Sequence, residues 1–432
     1  MTVLSRRSFV RRAACGLAGL TTATLLPNSA RGANDKIRVA AIGVRTQGMI
    51  MARSFIKTGR ANITAVCDVD SQILAERTKE IESLQKKAPR AYADFRRVLE
   101  DKNIDAVLVA TPDHWHALMA IHACEAGKDV YLEKPCAHNV RECRLIAQAA
   151  RKYSRIIQHG TMQRSGAHFQ EARQYVRSGK LGKIGLIRCF SILGRASIGH
   201  KPDSQPPAGL DYDFWLGPAP QRPYNESRCH YNWRFIWDYG TGDMGNWGVH
   251  WLDIPLWTLD LGWPDAVCCS GGKFMYDDDK ETPDTQLTFY EYPHLSLVWE
   301  LRMWSKYPNQ GGIDDSGTGA TFYGDEQVLN ITRAGWKAFT KDEKKLIAQG
   351  HAGDDKFLLH ANNFIDSVLS RKAPIADIAS GHVSATVAIL GNVAWLAGEK
   401  IRYDPEKDKL DKSEKDHLLT RTYREKWPLP AL

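Results

Sequence analysis

A glycine-bearing turn and a downstream aspartate are spaced as dinucleotide binding requires. The turn from Gly43 to Gly48 keeps the first and third glycines of the G-x-G-x-x-G pattern, with Arg45 in the middle position. The first glycine permits a tight turn, and the free N–H groups of a helix that begins there can hold a pyrophosphate. Asp68 follows Gly48 by twenty residues, and its carboxylate can accept hydrogen bonds from ribose hydroxyls and repel a 2′-phosphate. The sequence therefore predicts NAD as the cofactor, with NADP not excluded.

Two further polar segments come directly after apolar runs. Residues 111–116 (TPDHWH) follow the run that ends at Ala110, and residues 133–135 (EKP) follow Leu132. The carboxyl ends of parallel strands form the edge of a sheet where ligands bind. We therefore expect both segments to line the same site.

The elements that must position these groups alternate along the first half of the chain. Apolar, β-branched runs predict strands over 36–42, 61–67, 106–110 and 128–132, and helices are predicted over 49–58, 71–87, 116–126 and 140–153. This alternation predicts an α/β fold with a doubly wound parallel sheet. In the second half, 184–192 and 285–303 alternate as strands with one exposed face do.

The glycine turn, the TPDHWH segment and the EKP segment together closely resemble the Gfo/Idh/MocA oxidoreductases, the family of glucose-fructose oxidoreductase and inositol 2-dehydrogenase. The resemblance runs from about Lys36 to the region of Gly398. It implies an N-terminal Rossmann domain followed by an α+β domain with a large, mostly antiparallel open sheet. The expected domains are a Rossmann domain over 34–157, a substrate-binding domain over 158–400 and a polar C-terminal tail over 401–432.

The resemblance also implies which residues do the chemistry. Lys134 matches the family lysine beside the nicotinamide and the reacting hydroxyl, and burial can lower the pKa of a lysine enough for it to act as a base. His250 matches the histidine of the family helix D-x-G-x-H-x-x-D, and it is predicted to be catalytic with Lys134. Asn246 stands where that pattern has its first aspartate, four residues before His250 and on the same helical face. An amide cannot serve as a base, so more of the acid–base work is expected of Lys134 and His250.

The remaining site residues follow from the same matches. The predicted cofactor contacts are Gly43, Arg45, Thr46, Gln47, Gly48, Asp68, Thr111, Pro112, His116, Glu133 and Lys134. The predicted substrate contacts are Asn246, Asp253, Gln163, Arg164, Tyr231, Trp233 and Arg234. Asp253 is expected either to orient His250 or to bind substrate. Most tryptophans between Trp215 and Trp263 are expected to pack in the core or between subunits, although aromatic faces also suit sugars.

The basic charge of the chain is concentrated at its N-terminus. Residues 1–33 contain five arginines and no Asp or Glu, so without them the formal charge falls from +8 to +3. The motif SRRSFV, an apolar stretch from Ala13 to Leu26 and small residues before position 33 resemble a twin-arginine signal peptide. We expect a folded protein that is periplasmic or otherwise exported by the twin-arginine route. We expect no nucleic-acid partner, and no stable membrane association after the signal is removed. The spacing of Cys and His residues matches no zinc pattern, so no metal site is expected.

Three functions remain open at this point. The first is an NAD(P)-dependent oxidoreductase that acts on a hydroxyl of a sugar, polyol or glycoside, with a tightly bound cofactor recycled within the site. The second is a redox-neutral glycoside hydrolase or lyase that works through a transient keto sugar, which Asn246 favours. The third is a noncatalytic, nucleotide-dependent sugar sensor, against which Lys134 and His250 argue. The resemblance further implies a homodimer or homotetramer.

Overall fold

The computed structural model describes residues 36–305 and 317–432. The predicted export signal, residues 1–33, lies outside the described residues. Ile37–Leu432 form one compact unit.

Six parallel strands form the first sheet, in the order β3-β2-β1-β4-β5-β6. This is the strand order of a doubly wound dinucleotide-binding domain, so the predicted parallel sheet is confirmed. The strands are β1 (Ile37–Ile42), β2 (Ala61–Cys67), β3 (Arg90–Tyr92), β4 (Ala106–Val109), β5 (Asp129–Leu132) and β6 (Ile157–His159). The two short strands were not predicted, because three residues give no readable apolar period.

Helices cover both faces of this sheet. They are α1 (Thr46–Lys57), α2 (Ser71–Gln85), α3 (Phe95–Glu100), α4 (Asp113–Glu125) and α5 (Val140–Lys152). Strands β1, β4 and β5 are almost wholly buried, as their continuous apolar runs require. Helices α1 and α4 begin three residues earlier than the sequence predicts, directly at the carboxyl ends of β1 and β4. Their first turns therefore stand at the ligand-binding edge of the sheet.

Eight strands form the second sheet, in the order β10-β11-β12-β7-β13-β14-β15-β16. All neighbours are antiparallel except β12 and β7, which confirms the predicted large, mostly antiparallel sheet. Its strands are β7 (Ile184–Ser191), β10 (Ala266–Gly272), β11 (Thr285–Glu291), β12 (Ser296–Arg302), β13 (Thr318–Gly324), β14 (Gln327–Ile331), β15 (Gly335–Thr340) and β16 (Leu346–His351). Short pairs are formed by β8 (Asp203–Ser204) with β9 (Tyr224–Asn225) and by β17 (Tyr403–Asp404) with β18 (Lys409–Leu410).

The helices of the second half pack on the inner face of this sheet and on the first domain. They are α6 (Ala167–Arg177), α7 (Tyr212–Leu216), α8 (Val249–Leu259), α9 (Lys356–Ser370) and α10 (Ile378–Ala397). A π-helical turn, Met244–Gly248, leads into α8. In the described ranges α10 alone has the length and apolar composition of a membrane span, but 72% of its most apolar stretch is buried, which is the pattern of a core helix.

The C-terminal residues, expected as a polar tail, pack onto the fold. Leu419 and Trp427 are buried, and the Trp427 ring lies 4.8 Å from that of Trp115 and 5.1 Å from that of Phe214. The Arg421 side chain donates a hydrogen bond to the His114 carbonyl oxygen. A few apolar residues at irregular intervals carry this packing, so no periodicity in the sequence reveals it.

Candidate active site

A cavity of about 340 Å³ opens at the carboxyl ends of β1, β2, β4 and β5. The first domain lines it with the glycine turn, Asp68, the segment after β4 and the segment after β5. The second domain adds residues from one stretch of chain and from the π-helical turn. These second-domain residues are Phe214, Trp215, His230, Tyr231, Trp233, Arg234 and Asn246.

The glycines of the first turn are required by close backbone contacts. Gly43 has φ +80°, and a Cβ there would lie 2.7 Å from the Ala110 carbonyl oxygen. A Cβ at Gly48 would lie 1.9 Å from the Gly43 carbonyl oxygen. Helix α1 has no acidic residue in its first turn and no side-chain cap, and Thr46 and Gln47 of that turn line the cavity. This arrangement fits a pyrophosphate.

Asp68 lies at the end of β2 and lines the same cavity. Its carboxylate accepts hydrogen bonds from the backbone N–H groups of Val44, at 3.0 Å, and Asp70, at 3.1 Å. Burial raises the pKa of Asp68, and these two N–H groups oppose the rise. Arg45 lies 3.9 Å from the Asp70 carboxylate. A carboxylate at this edge suits the two hydroxyls of a ribose, as the sequence predicts for NAD.

The segment after β4 is tied to the segment after β5 through His116. The ring nitrogens of His116 lie 2.7 Å from the Pro135 carbonyl oxygen and 2.9 Å from the Thr111 carbonyl oxygen. Burial lowers the pKa of His116 to about 4, against the opposing effect of both carbonyl contacts. A neutral ring has one N–H, so it donates to only one of these two carbonyl oxygens at a time. Thr111, Pro112 and His116 all line the cavity, where the sequence predicts them.

Lys134 lies at the junction of the two domains. Its Nζ donates hydrogen bonds to the Asn246 carbonyl oxygen, at 3.0 Å, and to Asn246 Oδ1, at 3.1 Å. Burial lowers the pKa of Lys134 to about 8, against the opposing effect of the neighbouring Glu133 carboxylate. The side chain of Glu133 in turn accepts a hydrogen bond of 2.8 Å from Gln47 Nε2. The lysine can therefore exchange a proton near neutral pH.

Asp113 is a site residue that the sequence analysis did not single out. It begins α4, lines the cavity and is 3% exposed, and its Oδ2 accepts a hydrogen bond of 2.9 Å from Thr241 Oγ1. Burial raises the pKa of Asp113 to about 7, with Lys134 opposing the rise. The available signal was its position directly after a strand-ending proline at the ligand edge of the sheet.

His250 is close to this centre but does not line the cavity. The π-helical turn places Asn246 before α8 begins, so Asn246 reaches the cavity while His250 is buried in the first turn of α8. Burial lowers the pKa of His250 well below its usual range, and the charges of Lys134 and Arg333 act in the same direction. The ring is therefore neutral, and its Nδ1 makes no hydrogen bond.

Three predicted substrate contacts lie together on the second-domain side of the cavity. Tyr231, Trp233 and Arg234 come from one 3-10 helical segment. The Arg234 guanidinium carbon lies 4.3 Å from the centre of the Tyr231 ring and 5.4 Å from the Trp233 ring. Tyr231 is 58% exposed, so its ring is available to a ligand.

Three other predicted substrate contacts are not brought to the cavity. Arg164 and Asp253 form a buried, two-point ion pair with N–O distances of 2.8 and 2.5 Å, and Ser384 donates a further hydrogen bond to Asp253. Gln163 Nε2 donates to the His250 carbonyl oxygen. These three residues are not among those that line the cavity, and their direct contact with substrate stays a prediction.

Arg333 is a second residue that sequence reasoning missed. It lies in the turn between β14 and β15, donates from Nε to Gln163 Oε1 at 3.2 Å, and packs 4.7 Å over the Trp247 ring. Burial lowers the pKa of Arg333 to about 10. Nothing in its local sequence marks it, because the sheet alone brings this hairpin beside the π-helical turn that precedes α8. Within the described ranges no group of three or more His, Cys, Asp or Glu side chains could hold a metal ion.

Two family models match the chain. Residues 37–161 match the oxidoreductase family with an NAD-binding Rossmann fold, and residues 184–264 match the C-terminal α/β domain of the same Gfo/Idh/MocA family. The cofactor domain is thus an NAD-binding Rossmann domain, as the sequence predicts.

Curated relatives match over about a third of the chain. A glycosyl hydrolase family 109 protein from Shewanella pealeana is 31% identical over 170 residues, which are 34% of this chain and 37% of the relative. Inositol 2-dehydrogenase 1 from Saccharopolyspora erythraea is 30% identical over 166 residues, or 37% of this chain and 47% of the relative. The similarity spans less than half the length of each relative.

A solved structure shares the fold over most of the chain. The WlbA dehydrogenase from Bordetella pertussis, in complex with NADH and UDP-GlcNAcA, superposes with a TM-score of 0.63. It is 17% identical and covers 85% of this chain and 99% of its own. At this identity the likeness establishes the fold.

Proposed function

We propose that this protein oxidises or reduces a hydroxyl carbon of a sugar, polyol or glycoside with NAD, because residues 37–161 and 184–264 match the two domains of the Gfo/Idh/MocA oxidoreductases. One observation carries the proposal. A single cavity joins a dinucleotide-type glycine turn and Asp68 to a lysine whose pKa is lowered to about 8. A dehydrogenase needs these two features side by side.

NAD would be held by the first domain. The α1 N-terminus fits the pyrophosphate, and Asp68 fits the adenosine ribose hydroxyls. Thr111, Pro112 and His116 would border the nicotinamide end. When bound, the cofactor supplies the hydride acceptor or donor.

Lys134 is the proposed acid–base residue. In oxidation, its neutral amine takes the proton of the substrate hydroxyl while hydride leaves the carbon that bears this hydroxyl. In reduction, the lysine returns the proton to the oxygen. Asn246 holds the amine in place. His250 is proposed to act on the same centre as a neutral ring, in a supporting role behind Asn246.

Substrate would bind against the second domain. Tyr231 and Trp233 offer aromatic faces suited to the C–H faces of a sugar, and Arg234 offers N–H donors to its oxygens. The inositol dehydrogenase relative and the nucleotide-sugar complex of WlbA support a carbohydrate or polyol substrate.

A second-domain segment supports tight cofactor retention. The Ser71 N–H donates to the Gly209 carbonyl oxygen and the Asp211 N–H donates to that of Val69, so the segment is fastened beside the end of β2. The same segment carries His230, which lies 3.2 Å from the Asp70 carboxylate. A cofactor in the cavity would be covered from this side. Such retention suits a protein exported to the periplasm with its cofactor bound and recycled there, as the twin-arginine motif suggests.

A redox-neutral glycoside hydrolase or lyase is the second candidate. Transient oxidation of a ring hydroxyl acidifies the adjacent C–H and permits elimination of a glycosidic group. Two observations favour this function. One is the similarity to a glycosyl hydrolase family 109 protein, and the other is Asn246 at the position of the first aspartate in the pattern D-x-G-x-H-x-x-D.

We also propose that the protein forms a homodimer or homotetramer through the exposed face of the second sheet. Leu186 on β7 and Leu287 and Phe289 on β11 are 39–42% exposed there, with β12 between the two strands. Light scattering after size-exclusion chromatography gives the mass directly, and a monomer at micromolar concentration would refute the assembly.

The deciding experiment has two steps. The protein is purified from its compartment, and any nucleotide released on unfolding is identified by mass; NAD(H) is expected, and its absence would remove the proposal of a retained cofactor. A panel of sugars, polyols and glycosides is then analysed for products. Oxidised or reduced products support the first function, whereas bond cleavage without net NADH supports the second.

A further inference from the structure

We propose that Asn246 is a positioning residue that orients the Lys134 amine as a base, by accepting both of its N–H groups without adding a negative charge and by separating the amine from the carboxylate of Asp243. This inference rests on the proposed function, in which Lys134 accepts a proton. It assigns to Asn246 a role that an aspartate at the same position could not fill.

The geometry of the amine sets the direction of its lone pair. A neutral lysine amine has two N–H donors and one lone pair, whereas the ammonium has three donors. Asn246 presents two acceptors to Nζ, its carbonyl oxygen at 3.0 Å and Oδ1 at 3.1 Å. With both N–H groups occupied on Asn246, the lone pair faces away from it, into the cavity that both residues line. A substrate hydroxyl placed there meets the acceptor directly.

The far side of the Asn246 amide faces a buried carboxylate. Asn246 Nδ2 donates a hydrogen bond of 2.9 Å to Asp243 Oδ1, and Asp243 Oδ2 lies 3.2 Å from Nε of Arg195. These contacts fix the orientation of the Asn246 amide. In the reverse orientation its NH₂ group would face the N–H groups of Lys134, and its oxygen would face the carboxylate oxygen of Asp243. The amide donates to Asp243 and accepts from Lys134 at once, whereas an ionised carboxylate can only accept.

A carboxylate at position 246 would act in the opposite way. It would contact the amine with a full negative charge, and an opposite charge at that distance favours the ammonium. It would also face Asp243 without a donor. The amide leaves Lys134 within hydrogen-bonding reach of a partner that does not stabilise its charge by ionic attraction.

The other charges around Lys134 act in opposing directions. The groups that face it from neighbouring elements are Glu133 and Asp113, which favour the ammonium, and Arg234 and Arg333, which disfavour it. His116 and His250 are also near, and burial lowers the pKa of both, so they are neutral at working pH. Burial has the largest effect and lowers the pKa of Lys134 to about 8. A charge introduced at 246 would disturb this balance more than any distant substitution.

The test measures the pKa of Lys134 without substrate or turnover. The folded protein is labelled with acetic anhydride across a pH series, and acetylation of Lys134 is quantified by mass spectrometry against Lys344, which is 83% exposed. We expect a midpoint near 8 in the natural sequence. Asn246→Asp should raise the midpoint by half a unit or more, and Asn246→Leu should lower it. A smaller rise in Asn246→Asp, or shifts of the same sign in both variants, would overturn the proposal.

Two controls separate position from net charge. Asn103→Asp adds the same charge at the opposite, amino-terminal edge of the first sheet, where Asn103 Oδ1 accepts a hydrogen bond from Arg38. This variant should leave the labelling midpoint of Lys134 unchanged. The double variant Asp243→Asn with Asn246→Asp keeps the net charge and moves the carboxylate into contact with Lys134. Its midpoint should rise as in the single variant; no rise would show that Asn246 only fills space.

Turnover gives an independent readout. With a confirmed substrate, the acidic limb of kcat/KM should move to higher pH in Asn246→Asp by the same amount as the labelling midpoint, because Lys134 must lose its proton before it can act. If labelling behaves as expected but no nucleotide or substrate is found, the proposed function fails while the positioning of Lys134 stands. If turnover is confirmed but labelling does not shift, only the role of Asn246 fails.

Discussion

Two polar pairs join the first half of the chain to α8 and the turn before it. They differ in whether a hydrogen-bonding position is left open to a ligand. Lys134 and Asn246 meet at the cavity, where the amine keeps one position open to a ligand. Arg164 meets Asp253 of α8, where two hydrogen bonds between them and one from Ser384 occupy the charged groups. All four residues are predicted as site residues from sequence. The comparison shows that unused hydrogen-bonding capacity, more than residue type, marks a group available for chemistry.

The largest expected effect comes from removing the open member of the first pair. Lys134→Ala should lower kcat/KM by about 10²–10⁴-fold, the usual contribution of a general acid–base group. Steady-state kinetics on a confirmed substrate measures this, with bound nucleotide quantified by mass to show that the cofactor site persists. Unchanged turnover would remove Lys134 from the mechanism.

The closed pair should respond in stability instead. Asp253→Asn leaves Arg164 buried without its partner and should lower the free energy of unfolding by about 3–5 kcal/mol. Denaturant unfolding measures this. The matched control is Arg164→Met with Asp253→Leu, which removes both charges and should recover most of the loss. If Asp253→Asn instead raises KM for substrate with normal stability, the contrast between the two pairs is wrong.

Asp68 tests whether the cofactor end of the cavity also has free capacity. Its carboxylate accepts two backbone N–H groups and has further lone pairs for ribose hydroxyls. Asp68→Asn should weaken NAD binding by about 10–100-fold, from the loss of charged hydrogen bonds of about 1.5–3 kcal/mol. Calorimetric titration with NAD and NADP gives both affinities. An unchanged preference between the two nucleotides would argue against Asp68 as the selecting residue.

The pH dependence of the natural enzyme tests the first pair without substitution. In the proposed mechanism Lys134 acts when neutral, and burial lowers its pKa to about 8, so kcat/KM for oxidation should fall about tenfold per pH unit below that value. Protonation of Asp113, with a pKa of about 7, removes a negative charge beside Lys134 and favours the neutral amine. A profile with no limb between pH 6 and 9 would contradict the assignment.

The smallest effect is expected at the exposed rim of the cavity. Tyr231 is 58% exposed, so loss of its ring removes a partly solvated stacking surface. Tyr231→Ala should raise KM by a few-fold, from about 0.5–1.5 kcal/mol of aromatic contact, and leave kcat near its original value. Steady-state kinetics separates the two parameters. A large fall in kcat would place Tyr231 at the reacting carbon and sharpen the map of the substrate.

Much of the fold was accessible from the sequence, for a local reason. Buried parallel strands such as β1, β4 and β5 are continuous apolar runs, and the glycines at 43 and 48 are required by contacts within their own turn. The helix starts at Thr46 and Asp113 were predicted three residues late, because neither has a side-chain capping signal before it. The short strands β3 and β6 and the packing of the C-terminal residues left no period to read.

The sequence by itself predicted the cofactor domain, its resemblance to a family, and Lys134 as the candidate acid–base residue. Each of these depends on residues that are close together in the chain. Tertiary structure alone decided which polar groups remain free. The π-helical turn puts Asn246 at the cavity and leaves His250 buried behind it. The fold pairs Arg164 with Asp253, and the sheet brings Arg333 over Trp247 of the same π-helical turn. Each outcome depends on contacts between residues far apart in sequence, where burial and hydrogen bonding are set by packing.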